Sequence, residues 1–271
     1  AAGSAQIAHS PGSIFRGIRD GFSIKGGILS SLMAKAVLPG TKDSLEGKAG
    51  LFNLYFRGAY EPSYLTDGLG KCFENTGVSF KVWPSCRLTH ESLDATLGIL
   101  REHDIRPGDI EEISVSVGER QAPRVESLVE ARRCPQTIID AKFSIPFTLG
   151  VAVTYGKVLI QHFSPEGLKT LDVLRVADKV TFRVDPGLKY TLYSTIVEIK
   201  TKGGKRYSKR VDFPYGHPEK PIAEADLVAK FKDCIAYSAK PLSRGDVEAV
   251  IDMVDRLEEV EDVSRIIRML G

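Results

Sequence analysis

Lys81-Val82-Trp83-Pro84-Ser85-Cys86-Arg87-Leu88-Thr89-His90 brings a lysine, an indole, a thiol, a guanidinium and an imidazole into one short stretch. The proline ring of Pro84 disfavours the helical region for its predecessor, so Trp83 is expected to be extended. Thr89 is placed to cap a helix, its hydroxyl accepting a backbone N–H of the first turn. Leu93, Leu97 and Leu100 then recur on one helical face, and the helix is expected to run to about His103. Lys81, Cys86, Arg87 and His90 therefore fall on or just before a helix N-terminus. Unpaired N–H groups and the helix dipole favour anions there. A cationic stretch in that position reads as a site for a carboxylate or a phosphate.

Outward from this stretch, the sequence reads as helices, then an α+β unit, then helices. Residues 1–57 look helical with glycine punctuation, and Ile28 to Val37 reads as an apolar helix stopped by Pro39-Gly40. Asp43 or Ser44 is expected to cap a short helix, and Ala49 to Tyr60 reads as core. Arg106-Pro107-Gly108-Asp109 is a turn. Ile110 to Val117 alternates apolar and polar residues with the period of a half-buried strand. Thr137 to Tyr155 is apolar and long enough for a helix, with Pro146 as a kink or break. Thr170 to Ala177 is a further helix. Val180 to Val184, Leu192 to Thr201 and Lys205 to Phe213 read as strands, the last two joined by a hairpin at Gly203-Gly204. Ala223 to Phe231 is amphipathic. Ser243 opens another helix with Val247, Val250, Ile251 and Val254 on its buried side. Glu258, Glu259, Glu261 and Asp262 read as a solvated face, not a metal site.

The chain of 271 residues has 27% charged and 42% hydrophobic residues and a net charge of +2. That balance suits a globular protein and gives no argument for nucleic acid or membrane binding. No apolar run approaches the roughly 20 residues that span a bilayer. Cys72, Cys86, Cys134 and Cys234 form no CxxC pair, so no zinc knuckle is suggested. They read as reduced thiols of a cytoplasmic protein. The chain begins Ala1-Ala2-Gly3 without a charged start and apolar core, so it is not read as opening on a signal peptide.

Four stretches resemble the MmgE/PrpD family of 2-methylcitrate dehydratase, cis-aconitate decarboxylase and iminodisuccinate epimerase relatives. The decapeptide from Lys81 to His90 is similar to the family's K-x-aromatic-P-x-C-R-x-T-H segment. Ala141-Lys142-Phe143-Ser144-Ile145-Pro146-Phe147, Tyr215-Gly216-His217-Pro218 with Lys220-Pro221, and Leu257 to Val263 are similar to three others. Gly47 to Phe52 adds a weaker match. The resemblance implies an α+β chain: part of an all-helical domain interrupted by an inserted α+β lid. Residues 1–72 would belong to the helical domain, 73–217 to the lid and 218–271 to the returning helices, with the site in the cleft between lid and helical domain. It also implies a homodimer and a reaction without a cofactor.

Family members remove a proton next to a carboxylate of a small polycarboxylate, and water loss, decarboxylation or epimerisation follows. They carry a helical segment ahead of the point where this chain starts. The chain is thus expected to be a fragment, or one subunit of a split enzyme with a separate chain supplying that segment. Apolar surface would then be exposed, and the chain alone would aggregate or seek a partner. Where the decarboxylases have lysine and histidine on the glycine-rich helix entry, this chain has Arg16 and Arg19. Where they have histidine five residues after the lysine, it has Cys86.

The leading expectation is therefore a dehydratase-type lyase on a 2-methylcitrate- or aconitate-like acid. An isomerase or epimerase of the family is one alternative, and a non-catalytic carboxylate-binding or dimerising remnant is another. Lys81, Cys86 and His90 are the catalytic candidates. Lys81 suits a carboxylate, or acts as base where burial strips its solvation. Cys86 beside Arg87 sits where a thiolate is favoured. His90 is of the type that exchanges protons near neutral pH. Arg16, Arg19 and Arg87 are the substrate-binding candidates, because guanidinium binds carboxylate in a bidentate fork. Each has a structural alternative: a solvated lysine, a buried thiol, a packed imidazole, surface ion pairs. His217 at the lid junction reads as structural.

Overall fold

The alternating residues 110–117 become the interior of a sheet. The structure is a computed structural model describing residues 18–119, 122, 133–188 and 194–271, and in it Ile110–Val117 is strand β1. Val180–Val184 (β2), Thr195–Thr201 (β3) and Arg206–Val211 (β4) complete a sheet of order β2-β1-β3-β4. β1 is parallel to β2, with Val115 opposite Phe182, and antiparallel to β3, with Val115 opposite Val197. As an inner strand β1 buries Ser114 along with Ile113 and Val115, so its burial is not the one-face pattern its alternation suggests. β3 and β4 form the expected hairpin. Thr201 N–H donates to Lys205 O at 2.9 Å, and Gly204 at φ +81° turns the chain through the left-handed region. The expected start of β3 at Leu192 lies outside the described residues.

The chain divides into two compact units, one ending at Gly77 and one running from Val78 to Gly271. In the first, the helix expected from Ile28 starts earlier, as Arg19–Lys35 (α1), and passes through Gly21, Gly26 and Gly27 unbroken. Leu51–Phe56 (α2) and Ser63–Thr66 (α3) follow. Turns replace the short helix expected near Asp43, whose φ of +49° does not continue a helix. The expected core at 49–60 is also corrected. Phe52 alone is buried there among large apolar residues, stacked on Tyr60 at 4.2 Å, while Leu54, Tyr55 and Phe56 face outward.

In the second unit His90–Glu102 (α4) packs against β3 and β4. It was expected to bury one face. Instead every residue from His90 to Ile99 is buried, including Glu91 and Asp94, because other segments cover its remaining sides. The long helix expected over 137–155 is two: Ile138–Lys142 (α5) and Ile145–Tyr155 (α6). Each has a hydroxyl cap. Thr137 accepts from Asp140 N–H at 3.1 Å, and Ser144 from Phe147 N–H at 3.0 Å. Pro146 thus starts α6, where its missing N–H is one of those a helix leaves unpaired anyway. α6 is buried from Ile145 to Val153 and packs against α4 and against Leu171–Ala177 (α7).

Glu224–Ile235 (α8), Arg244–Asp255 (α9) and Ser264–Leu270 (α10) close the chain, within the same unit as the sheet. Ser243 and Asp246 form a reciprocal capping box at α9. Val247 and Val250 are buried, but Val254, expected on the same side, is exposed near the helix end. Glu258, Glu259, Glu261 and Asp262 are exposed, and no cluster able to hold a metal occurs among the described residues. No described helix is long and apolar enough to cross a membrane. The chain is α+β.

Candidate active site

Three of the separately quoted stretches converge on the first half of α4. Cys86 N–H donates to Lys142 O at 2.7 Å, tying the decapeptide to α5. Phe80 N–H donates to Gly216 O at 2.8 Å, tying its approach to the junction after β4. Gly216 has φ +92°, and a Cβ there would lie 2.7 Å from Phe80 O, so the crossing requires glycine. Asp94 accepts Tyr215 N–H at 2.8 Å and Lys220 Nζ at 2.6 Å, fixing the same junction to α4.

Within the decapeptide, Ser85 N–H closes a tight turn onto Trp83 O at 2.8 Å, around Pro84. Thr89 stands at the expected cap position, but its hydroxyl does not cap α4. It donates to Cys86 O at 2.8 Å and meets Ser85 Oγ at 2.7 Å. A short 3₁₀ turn, Arg87–Thr89, leads into the helix and already supplies its first bonds. The threonine therefore stiffens the loop behind it.

The catalytic candidates sit at different depths. Lys81 is exposed and Cys86 half-buried, while His90 has no exposure and lies edge-on to Trp83, ring centroids 5.1 Å apart. Among the described residues, neither ring nitrogen of His90 makes a well-formed hydrogen bond. Burial, then the charges of Arg87, Lys81 and Lys230, hold His90 neutral and lower it from 6.5 to about 3; the Ser85 backbone opposes this only in part. At neutral pH His90 is thus an uncharged wall behind the rim.

Of the substrate-binding candidates, Arg87 is ion-paired with buried Glu91 one turn on. Burial pushes the Glu91 carboxyl up, and Arg87 pulls it back. Arg19, in the other unit, pairs with Asp20 at 3.3 Å, and Arg16 lies outside the described residues. The structure therefore brings together Lys81, Cys86, Arg87 and His90. Sequence reasoning missed Glu91, Asp94 and Lys230. The i, i+4 spacings Arg87–Glu91 and His90–Asp94 carried a signal for the first two; Lys230, on a distant helix, carried none. Cys72, Cys134 and Cys234 are exposed, and all four thiols are free.

A cavity of about 280 Å³ opens elsewhere in this unit, lined by Tyr155, His162, Glu166 and Thr170 among others, and by none of the candidates. His162 Nδ1 accepts Leu159 N–H at 2.9 Å, and its ring stacks on Tyr155 at 4.5 Å.

The site is thus the start of a buried helix in an α+β unit, with Lys81, Cys86 and Arg87 on its rim. A family model of the MmgE/PrpD C-terminal domain matches residues 83–259, and the chain belongs to that family. It is 27% identical over 259 residues to cis-aconitate decarboxylase of Mus musculus, covering 92% of this chain and 51% of that protein. It is 26% identical to the Homo sapiens enzyme over the same shares, and 23% identical to that of Aspergillus terreus, covering 96% of this chain and 55% of that protein. The chain spans about half the length of the curated relatives it matches.

Proposed function

We propose that this chain forms part of a lyase acting on a small, aconitate-like polycarboxylate, without a cofactor. The observation that carries the reading is the convergence of three separate stretches on the start of α4, where Lys81 and Cys86 share an accessible rim. Family membership and the names of the relatives support the substrate class. Lys81, exposed and without an ion pair among the described residues, holds a substrate carboxylate as a cation. Its solvation leaves no reason to make it the base.

Cys86, half-buried on the same rim, is the group placed to take the proton next to that carboxylate. In the dehydratase form, its thiolate takes the proton from the carbon bearing the carboxylate and becomes a thiol. The C–H electrons form a carbon–carbon double bond, and hydroxide leaves the neighbouring carbon. Trp83 and neutral His90 back the rim and keep water from that side.

Decarboxylation is the second reading, favoured by the relatives' names. There the bond to one carboxylate breaks, carbon dioxide leaves, and a proton is delivered to the carbon in its place. Incubating the natural protein with cis-aconitate and with 2-methylcitrate, followed by carbon-13 NMR, separates the two. The dehydratase form predicts exchange of water across the double bond with all carboxylates retained. A five-carbon diacid and bicarbonate would establish decarboxylation instead. No change in either acid would remove the lyase reading.

A further inference from the structure

Lys230 lies on α8, far in sequence from the decapeptide, and it is half-buried without an ion pair or hydrogen bond among the described residues. Its place follows from a chain of hydrogen bonds. Asp94 accepts Tyr215 N–H at 2.8 Å, and the Tyr215 hydroxyl donates to Asp226 and accepts Ala223 N–H at 2.8 Å. Tyr215 thus clasps Asp94 of α4 to the first turn of α8. One turn back from Asp94 on α4 is His90; one turn on from Asp226 on α8 is Lys230. The clasp ties the first turn of α8 to α4, and Lys230 lies one turn on from Asp226. Its charge is one of those acting on the His90 ring, together with Lys81.

We propose that Lys230 is a second carboxylate-binding cation, which with Lys81 forms a two-ammonium clamp selecting substrates with at least two carboxylates. This rests on the polycarboxylate reading above. Two ammonium groups from separate elements, both acting on the His90 ring and without an ion pair among the described residues, leave positive charge that a dianion neutralises. Arg87 differs, because Glu91 already occupies it. The clamp accounts for specificity through charge spacing: an acid with one carboxylate satisfies one ammonium and leaves the other unpaired.

The test is calorimetric titration of the natural protein and its Lys230→Met and Lys230→Arg variants with cis-aconitate, alongside their melting temperatures. A charge-assisted contact of this kind predicts a roughly tenfold or greater loss of affinity in Lys230→Met. Melting should be unchanged and Lys230→Arg should restore most of the binding, which a purely structural role would not produce. Lys230→Gln repeats the test should the methionine variant melt early. Equal affinity in the wild-type, methionine and glutamine proteins overturns the clamp. Failure of the wild-type protein to bind cis-aconitate overturns the polycarboxylate reading itself, and the clamp with it.

Discussion

At the scale of single residues, His90 is the sharpest departure from expectation. A histidine at a helix entry among cations was read as a proton carrier, yet it lies fully buried against Trp83 and stays neutral to about pH 3. Its folded pKa is depressed, so the unfolded state binds the extra proton between about 6.5 and 3. The stability this group contributes is complete above its unfolded value and is lost as pH falls through that window. The slope is about 1.4 kcal/mol per pH unit, or about 2 kcal/mol between pH 6.5 and about pH 5. Glu91, pushed up by burial, acts in the opposite direction, so the difference between variants isolates the histidine. In urea unfolding across this pH range, His90→Phe should show a flatter stability profile than wild type. Equal slopes would mean that His90 is not held neutral. The sequence showed the residue types of the rim but not their depth, because depth depends on β3, β4 and α6 closing around α4.

At the scale of elements, close approach between helices and junctions decides what the sheet can hold. A Cβ on Gly150 of α6 would lie 2.4 Å from Val173 O on α7, with backbone on the far side and nothing flexible to yield. Gly150→Ala should therefore cost about 1–3 kcal/mol by overpacking, measured as a shift of the urea midpoint. An unchanged midpoint would show that α7 moves freely away from α6. Asp94 is the corresponding polar pin. Asp94→Ala leaves Tyr215 N–H unpaired at the junction, and a loss of about 1–3 kcal/mol is expected. If the clasp positions Lys230, the same variant should also weaken cis-aconitate binding; unaltered binding would separate the pin from the clamp.

Element identity was legible where local chemistry dominated. β1 and β2 carry their expected bounds, and Gly203-Gly204 gave the hairpin. The break between α5 and α6 at Ser144 was legible only as an alternative, because a proline fits a first turn as readily as it breaks a helix. The Thr89 hydroxyl went astray because the preceding 3₁₀ turn gave it a nearer acceptor at Cys86 O.

At the scale of the whole molecule, the two units differ in how much they bury. α1 has no buried residue, and Ile24, Ile28, Leu29, Leu32 and Met33 are all exposed. Apolar surface of that extent marks an interaction face or an association hazard. The 271-residue polypeptide produced by itself should bind a hydrophobic dye and self-associate in sedimentation; a monodisperse monomer with no dye binding would contradict this. The α+β class was readable from element order, and the family from four stretches that the fold gathers in part around α4. Lys230 was not readable, since its helix is far in sequence and is tied to α4 through the Tyr215 clasp.

The central claim is that the rim at the start of α4 handles a polycarboxylate, with Lys81 as its exposed cation. The most direct measurement is the turnover of cis-aconitate by the natural protein and its Lys81→Ala variant, with melting temperature as the control for folding. Lys81 is exposed, so the substitution should leave melting unchanged. The account predicts a fall of about tenfold or more in kcat/KM, the scale of losing a charge-assisted contact to a substrate carboxylate. An active wild-type protein whose Lys81→Ala variant turns over at the same rate would contradict it, and would move the search to the cavity beside His162.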